Sequence, residues 1–245
     1  MIFKVCIMGA FLSYLSSIPF YLMKKSLMGN ILVTLGLILN IYALIMRGYW
    51  GGEWYVDLMT KEFYIVPAGL ACIILILFFK GAHSEGRAVT FSLGIYSLIA
   101  LLVPFGQVLP TLKMKVAVVP LFILTEAISA SIFIAAASLA IVSLVSHTPG
   151  FRYGGLVIVG FIMFTICQII GALWAYLGWS YPFSWSHRHL ASASAWCMYA
   201  ALIHRPFMHI HQKIAALCVC LGAVPMGYLS CFNEIKVGFM RIFGV

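Results

Sequence analysis

The sequence predicts an all-α, polytopic integral membrane protein of about eight transmembrane helices, and three observations predict it. Of 245 residues, 64% are hydrophobic and 9% are charged, and the mean hydropathy is +1.08. A soluble domain of this size carries roughly 25% charged residues. The apolar residues come in continuous runs of the roughly 20 residues that a helix needs to cross a bilayer core. These runs do not alternate apolar with polar, which argues against a transmembrane β-barrel.

The runs fall at about 3–23, 29–47, 63–80, 88–106, 117–145, 153–176, 190–204 and 212–232. The first has no small-residue cleavage site after it and reads as a retained span. Lys24-Lys25 separates the first run from the second. Arg47 to Glu62, Lys80 to Arg87, Gln107 to Lys115, His147 to Arg152, Gly178 to His189 and Arg205 to Lys213 separate the rest. No break is long enough to hold a soluble domain, so residues 1–245 read as a single membrane domain. Trp50-Gly51-Gly52-Glu53 reads as a turn, since no Lys and no helix start follow its glycines. Glu126 is the one acid inside a span, where its cost in lipid requires it to face the bundle interior or a wet cavity. Either a proton relay or a hydrogen bond to a neighbouring helix, supported by Thr125 and Ser129, would satisfy it.

The formal charge of +9 comes from 15 Lys and Arg against 6 Asp and Glu. The cations are scattered through loops as topology determinants are, which speaks against nucleic-acid binding. Counted over loops, Lys and Arg number seven on one side and five on the other, with Lys4, Lys236 and Arg241 in the tails adding to the smaller set. The loop bias places both termini and the Trp-rich segment outside. The 7 cysteines lie mostly inside spans, and the pair Cys218 and Cys220 lacks a second metal-binding pair. Phosphate-binding and zinc-protease motifs are absent.

The informative stretch runs from Gly171 to Pro206, with a Trp-rich loop at about 171–196. Trp174, Trp179, Trp185 and Trp196 are four of the 6 tryptophans in the chain. Tyr176, Tyr181, Phe183 and Tyr199 add rings, and His187, His189 and His204 add imidazoles. Aromatic residues at headgroup level form belts in most membrane proteins. Aromatic faces beside imidazoles also suit a planar macrocycle, with rings packed on its faces and nitrogen on its metal. His187 and His189 diverge on a helix but share a side in extended backbone.

This stretch resembles the tryptophan-rich "WWD" segment of the CcsA/ResC family, the membrane haem-handling subunit of System II cytochrome c synthetase. Gly171, Ala172, Trp174 and Ala175 match its opening. Trp179 and Trp185 match two central tryptophans, with Phe183 in the place of another. Arg188 stands where the family has Lys, Trp196 matches a later Trp, and Ile203-His204 resembles the family's Leu-His. Glu62 is the clear match in an earlier outer segment. Ser186, His187 and His189 replace the family's Asp, Pro and Glu.

The resemblance implies haem b as cofactor, with Trp174, Trp179, Phe183, Trp185, His187, His189, Trp196 and His204 around it. His204, His187 and His189 are then the candidate iron ligands. The family's outer-loop histidines have no counterpart in Gln107 to Lys115 or after Phe232, and His204 alone lies where the family has a transmembrane pair. The implied partners are membrane lipid, a c-type cytochrome or apocytochrome, and other membrane subunits. A different class of function would reuse the scaffold as a membrane subunit of a respiratory or multihaem cytochrome complex, anchoring partners or offering a quinol site for a quinone.

Overall fold

The computed structural model describes residues 2–51, 62–102, 118–146, 153–204 and 211–243, with side chains described over most of these. Among the described residues the chain is all-helical. It comprises α1 (Ile2–Leu22), α2 (Ser26–Gly51), α3 (Glu62–Phe79), α4 (His83–Leu102), α5 (Val118–Ser146), α6 (Tyr153–Trp179), α7 (His187–Ile203) and α8 (Gln212–Phe243). Each helix covers one of the apolar runs, and no strand is present among the described residues. Five contain stretches long and apolar enough to cross a membrane: Lys4–Leu22, Ser26–Met46, Val118–Val145, Tyr153–Trp179 and Gln212–Leu229. Their outward faces are aliphatic. On α6, for example, Ile158, Val159, Ile162, Ile166, Ile169 and Leu173 are all exposed, a stripe that lipid covers and water would not.

The chain divides into two compact units, residues 1–109 with 233–245, and residues 110–232. In the first, α1 packs on α2 and α4, and α3 packs on α2 and α4. Aliphatic side chains gain little from leaving lipid for a helix interface, so close packing and polar contacts hold such helices together. Gly36 admits the Tyr14 ring, and a Cβ there would also meet the Ala10 carbonyl at 3.0 Å. Phe11 stacks on Tyr64 and Tyr21 on Phe78. Asn40, fully buried, donates from Nδ2 to the Tyr64 carbonyl at 3.2 Å, and the Tyr21 hydroxyl donates to Asn30 Oδ1 at 2.7 Å.

Both tight turns of this unit end a helix in the same way. Lys24 (φ 59°) and Gly81 (φ 74°) are left-handed, and each is flanked by the paired i−3 and i−5 backbone bonds that close a helix C-terminus. Glycine adopts this conformation without a Cβ clash, and lysine does not.

In the second unit, α5 packs on α6 and α6 on α7. Its centre is a stack of two rings: Phe133 of α5 lies flat on Tyr199 of α7, centroids 3.6 Å apart and 8° from parallel. Glycines close both sides. A Cβ at Gly160 would meet Phe133 at 2.8 Å, and one at Gly222 would meet Tyr199 at 2.8 Å. The short residues of α5, from Ala127 through Ala140, are almost all buried, so this helix is enclosed along its length while α6 faces outward.

Two stability outcomes follow. Lys24→Gly relieves the left-handed Cβ clash and raises stability by about 0.5–1 kcal/mol. Phe133→Ala empties the centre of the ring stack and costs about 3 kcal/mol. Reversible unfolding of the purified chain in detergent reads both.

Candidate functional site

The Trp-rich segment folds as a corner. Helix α6 continues through Trp179, three residues beyond the expected end of its span. It stops at Ser180, which is left-handed at φ 65° and donates its N–H to the Tyr176 carbonyl at 2.8 Å. Residues 181–186 are irregular, and α7 starts at His187, three residues before the expected start. The start is set by Ser186, the N-cap residue, whose hydroxyl accepts from the His189 backbone N–H.

The corner and the two helix ends enclose a cavity of about 680 Å³. Trp174, Trp179, Phe183 and Trp196 line it, and Phe122 of α5 joins them. The rings are interlocked. Trp174 packs on Phe122 at 5.5 Å and edge-on against Trp179 at 5.5 Å. Trp196 rests on Phe161 at 5.3 Å and donates from Nε1 to Thr165 Oγ1 at 3.1 Å, which ties α7 to α6. Gly171 gives the Phe122 ring its room, since a Cβ there would stand 2.8 Å from it.

The remaining expected residues separate. His189 lines the cavity and lies 5.4 Å from the Phe183 ring. Trp185 is 83% exposed and packs edge-on against the outer side of Phe183, away from the lining. His187 is exposed and also lies off the lining: of the two geometries open to residues 187–189 the helical one is present, and it turns the two imidazoles apart. His204 is the C-cap residue of α7, exposed, with its ring bonded through Nδ1 to the Ala200 carbonyl at 2.8 Å. It stands fifteen residues from His189, about 22 Å along the helix, so the two cannot share a ligand-sized site. Asp57, His147 and His209 lie outside the described residues.

His189 is held by two serines, Ser184 and Ser186, whose contact with it nothing in the sequence marks. Ser184 Oγ lies 2.6 Å and Ser186 Oγ 3.0 Å from Nδ1. Ser184 donates to Ser186 at 3.1 Å, so the two hydroxyls and the Nδ1 edge of the ring form one network that fixes the ring's orientation. Burial, and then the neighbouring Arg188 charge, push the His189 imidazolium to lower pKa than usual.

Behind the rings sits an ion pair. Arg188 lines the cavity, its guanidinium 5.5 Å over the Phe122 ring, and contacts Glu126 Oε2 on α5 through one terminal nitrogen. Glu126 is 1% exposed, and its second oxygen, Oε1, is buried without a hydrogen-bond partner. Thr125 and Ser129 do not serve it. Their hydroxyls turn back onto carbonyls of their own helix. The interior-facing acid expected from the sequence is therefore satisfied by a cation from the Trp-rich corner.

A planar macrocycle can be tested against this geometry. Ring walls and one imidazole with an available Nε2 fit one face of such a group. Paired histidine ligation does not assemble here: among the described residues no group of three or more His, Cys, Asp or Glu converges as a metal site, and His187 and His204 point elsewhere.

Because the His189 pKa is lowered by folding, the unfolded chain takes up its proton first as pH falls. Stability therefore declines as pH drops through the ordinary histidine value of about 6.5, and levels off only below the depressed value. His189→Gln removes that part of the slope, measured as unfolding free energy between pH 7.5 and 5. Compared with family models and with curated proteins, the chain has no match.

Proposed function

We propose that this chain is a CcsA-type haem-handling membrane protein, spanning a bacterial cytoplasmic membrane about eight times with its Trp-rich corner on the outer side. The observation that carries the reading is the cavity of about 680 Å³ walled by Trp174, Trp179, Phe183 and Trp196 with the serine-oriented His189 in its lining. Cavities of this size accept a single large ligand. Haem, when bound, would supply the redox-active iron and the vinyl groups to which a c-type apocytochrome is joined.

The protein's own part is positioning. Trp174 and Trp179 meet edge to face and present a rigid wall. Phe183 and Trp196 lie across the cavity lining from the corner and from α7. Ser184 and Ser186 fix the ring plane of His189, as carbonyl or carboxylate partners do for other ligating histidines. Partial burial, and then the Arg188 charge, disfavour the imidazolium and so favour the form that ligates.

One observation favours a second reading. The cavity offers one imidazole, not two, together with an arginine that is paired with a buried acid behind the lining. This set also suits a quinone in a respiratory membrane subunit, where the ring stacks on tryptophan and its oxygens meet hydrogen-bond donors.

Titration of the purified full-length chain with haemin separates them. Under the first reading a shifted Soret band and tryptophan quenching develop together at one equivalent. His189→Ala then removes the ligated spectrum, Ser184→Ala weakens binding about tenfold, and His204→Ala changes nothing. A chain that stays colourless with haemin and instead binds a short-chain ubiquinone analogue overturns the haem reading.

A further inference from the structure

The cavity is apolar apart from a few groups, and one of these is a guanidinium. A cation at an apolar wall is costly unless something offsets its lost hydration. Glu126 does so from behind. A carboxylate and a guanidinium fit best as a fork, two parallel N–H···O bonds. Here a single oxygen, Oε2, meets a single terminal nitrogen, and Oε1 is left buried and unpartnered. Glu126 does not itself line the cavity, whereas Arg188 does. The acid therefore holds the guanidinium in place from the α5 side while the guanidinium faces the ligand space. His189 also lines the cavity, with its Nδ1 edge against Ser184 and Ser186.

We infer that Arg188 is the acid-recognising residue of this cavity, and that the ligand is a flat, largely apolar molecule with a carboxylate on its edge. The inference rests on the reading that the cavity holds a planar ligand, and it adds which edge of that ligand points to α5. The aromatic lining takes the face of the molecule and Arg188 takes its acid group. A guanidinium has five N–H donors, so it can engage a ligand carboxylate while Glu126 keeps its end-on contact. Glu126 is a positioning residue with a second effect: its negative charge competes with the ligand acid for the same cation, and so sets how strongly acidic ligands are preferred. Among the described residues no other arginine or lysine lines the cavity.

The test compares two probes that differ only at the acid groups, haem and haem dimethyl ester, titrated by absorbance into the purified full-length chain. The expected result is that the wild-type chain binds the free acid at least tenfold more tightly than the ester. Glu126→Gln widens that ratio, because the competing charge is gone. The double variant Glu126→Gln with Arg188→Gln replaces the ion pair by neutral amides of similar volume, and brings the ratio close to one while ester binding persists. A salt bridge with a purely structural role would weaken both probes alike and leave the ratio unmoved. Equal binding of acid and ester by the wild type, or a ratio unchanged in the double variant, overturns the assignment of Arg188 and leaves the planar-ligand reading intact. Failure of both probes to bind the wild type overturns both.

Discussion

A carboxylate in an apolar interior has to be matched, and the contact between Glu126 and Arg188 is the constraint on which the corner depends. Glu126 lies on the most enclosed helix of its unit, and among the described residues Arg188 is the cation paired with it. Its partner comes from the first turn of α7, sixty-two residues later. Pairing them fixes where α7 begins relative to α5, and with it the course of the segment between α6 and α7. Removing one member of such a pair typically costs about 3–5 kcal/mol, because the other is left uncompensated. The aromatic rings then pack around a position that electrostatics has already set. Phe122 sits under the guanidinium, Trp174 on Phe122, and Trp179 on Trp174.

The same start of α7 decides which histidine serves the cavity. A helix begun at His187 turns successive side chains by about 100°. Arg188 and His189 reach the lining, and His187 does not. Had the segment stayed extended, His187 and His189 would have shared a side. The N-cap at Ser186 thus has a consequence beyond helix stability: its hydroxyl receives the backbone N–H of the same residue whose ring it helps to orient. Capping and ligand orientation are one small network of Ser184, Ser186 and His189.

Much of the fold was legible because lipid imposes a simple rule. Backbone polar groups must be bonded within the segment, so an apolar run of sufficient length is a helix. The eight runs accordingly fall on the eight helices, with ends shifted by a few residues. At α6 and α7 the shift mattered, since Trp179 and His187 belong to helices and the irregular segment is shorter than hydropathy suggested. Hydropathy weighs Trp, Ser and His as polar, while a cap and a left-handed Ser180 end helices by hydrogen bonding that it does not register. The aromatic walls were legible from the density of Trp174, Trp179, Phe183 and Trp196. Phe122 was not, because a phenylalanine in an apolar span carries no mark of its neighbour forty-nine residues later, Gly171. Nor was the role of Arg188 apparent, although the lone intramembrane acid required a partner and the Trp-rich corner held one cation.

An ion pair this incomplete is informative about what the fold is for. Where burial of an acid and a base serves stability alone, a hydrophobic pair of similar volume does as well or better. Here the pair is end-on, one oxygen is orphaned, and the cation is turned toward an open space lined with rings. The guanidinium gives the apolar slot a direction. A flat ligand entering it meets rings on its faces, an imidazole on one side and positive charge at one edge. That asymmetry, more than the number of tryptophans, separates a binding cavity from the interfacial belt that the same residues would otherwise form.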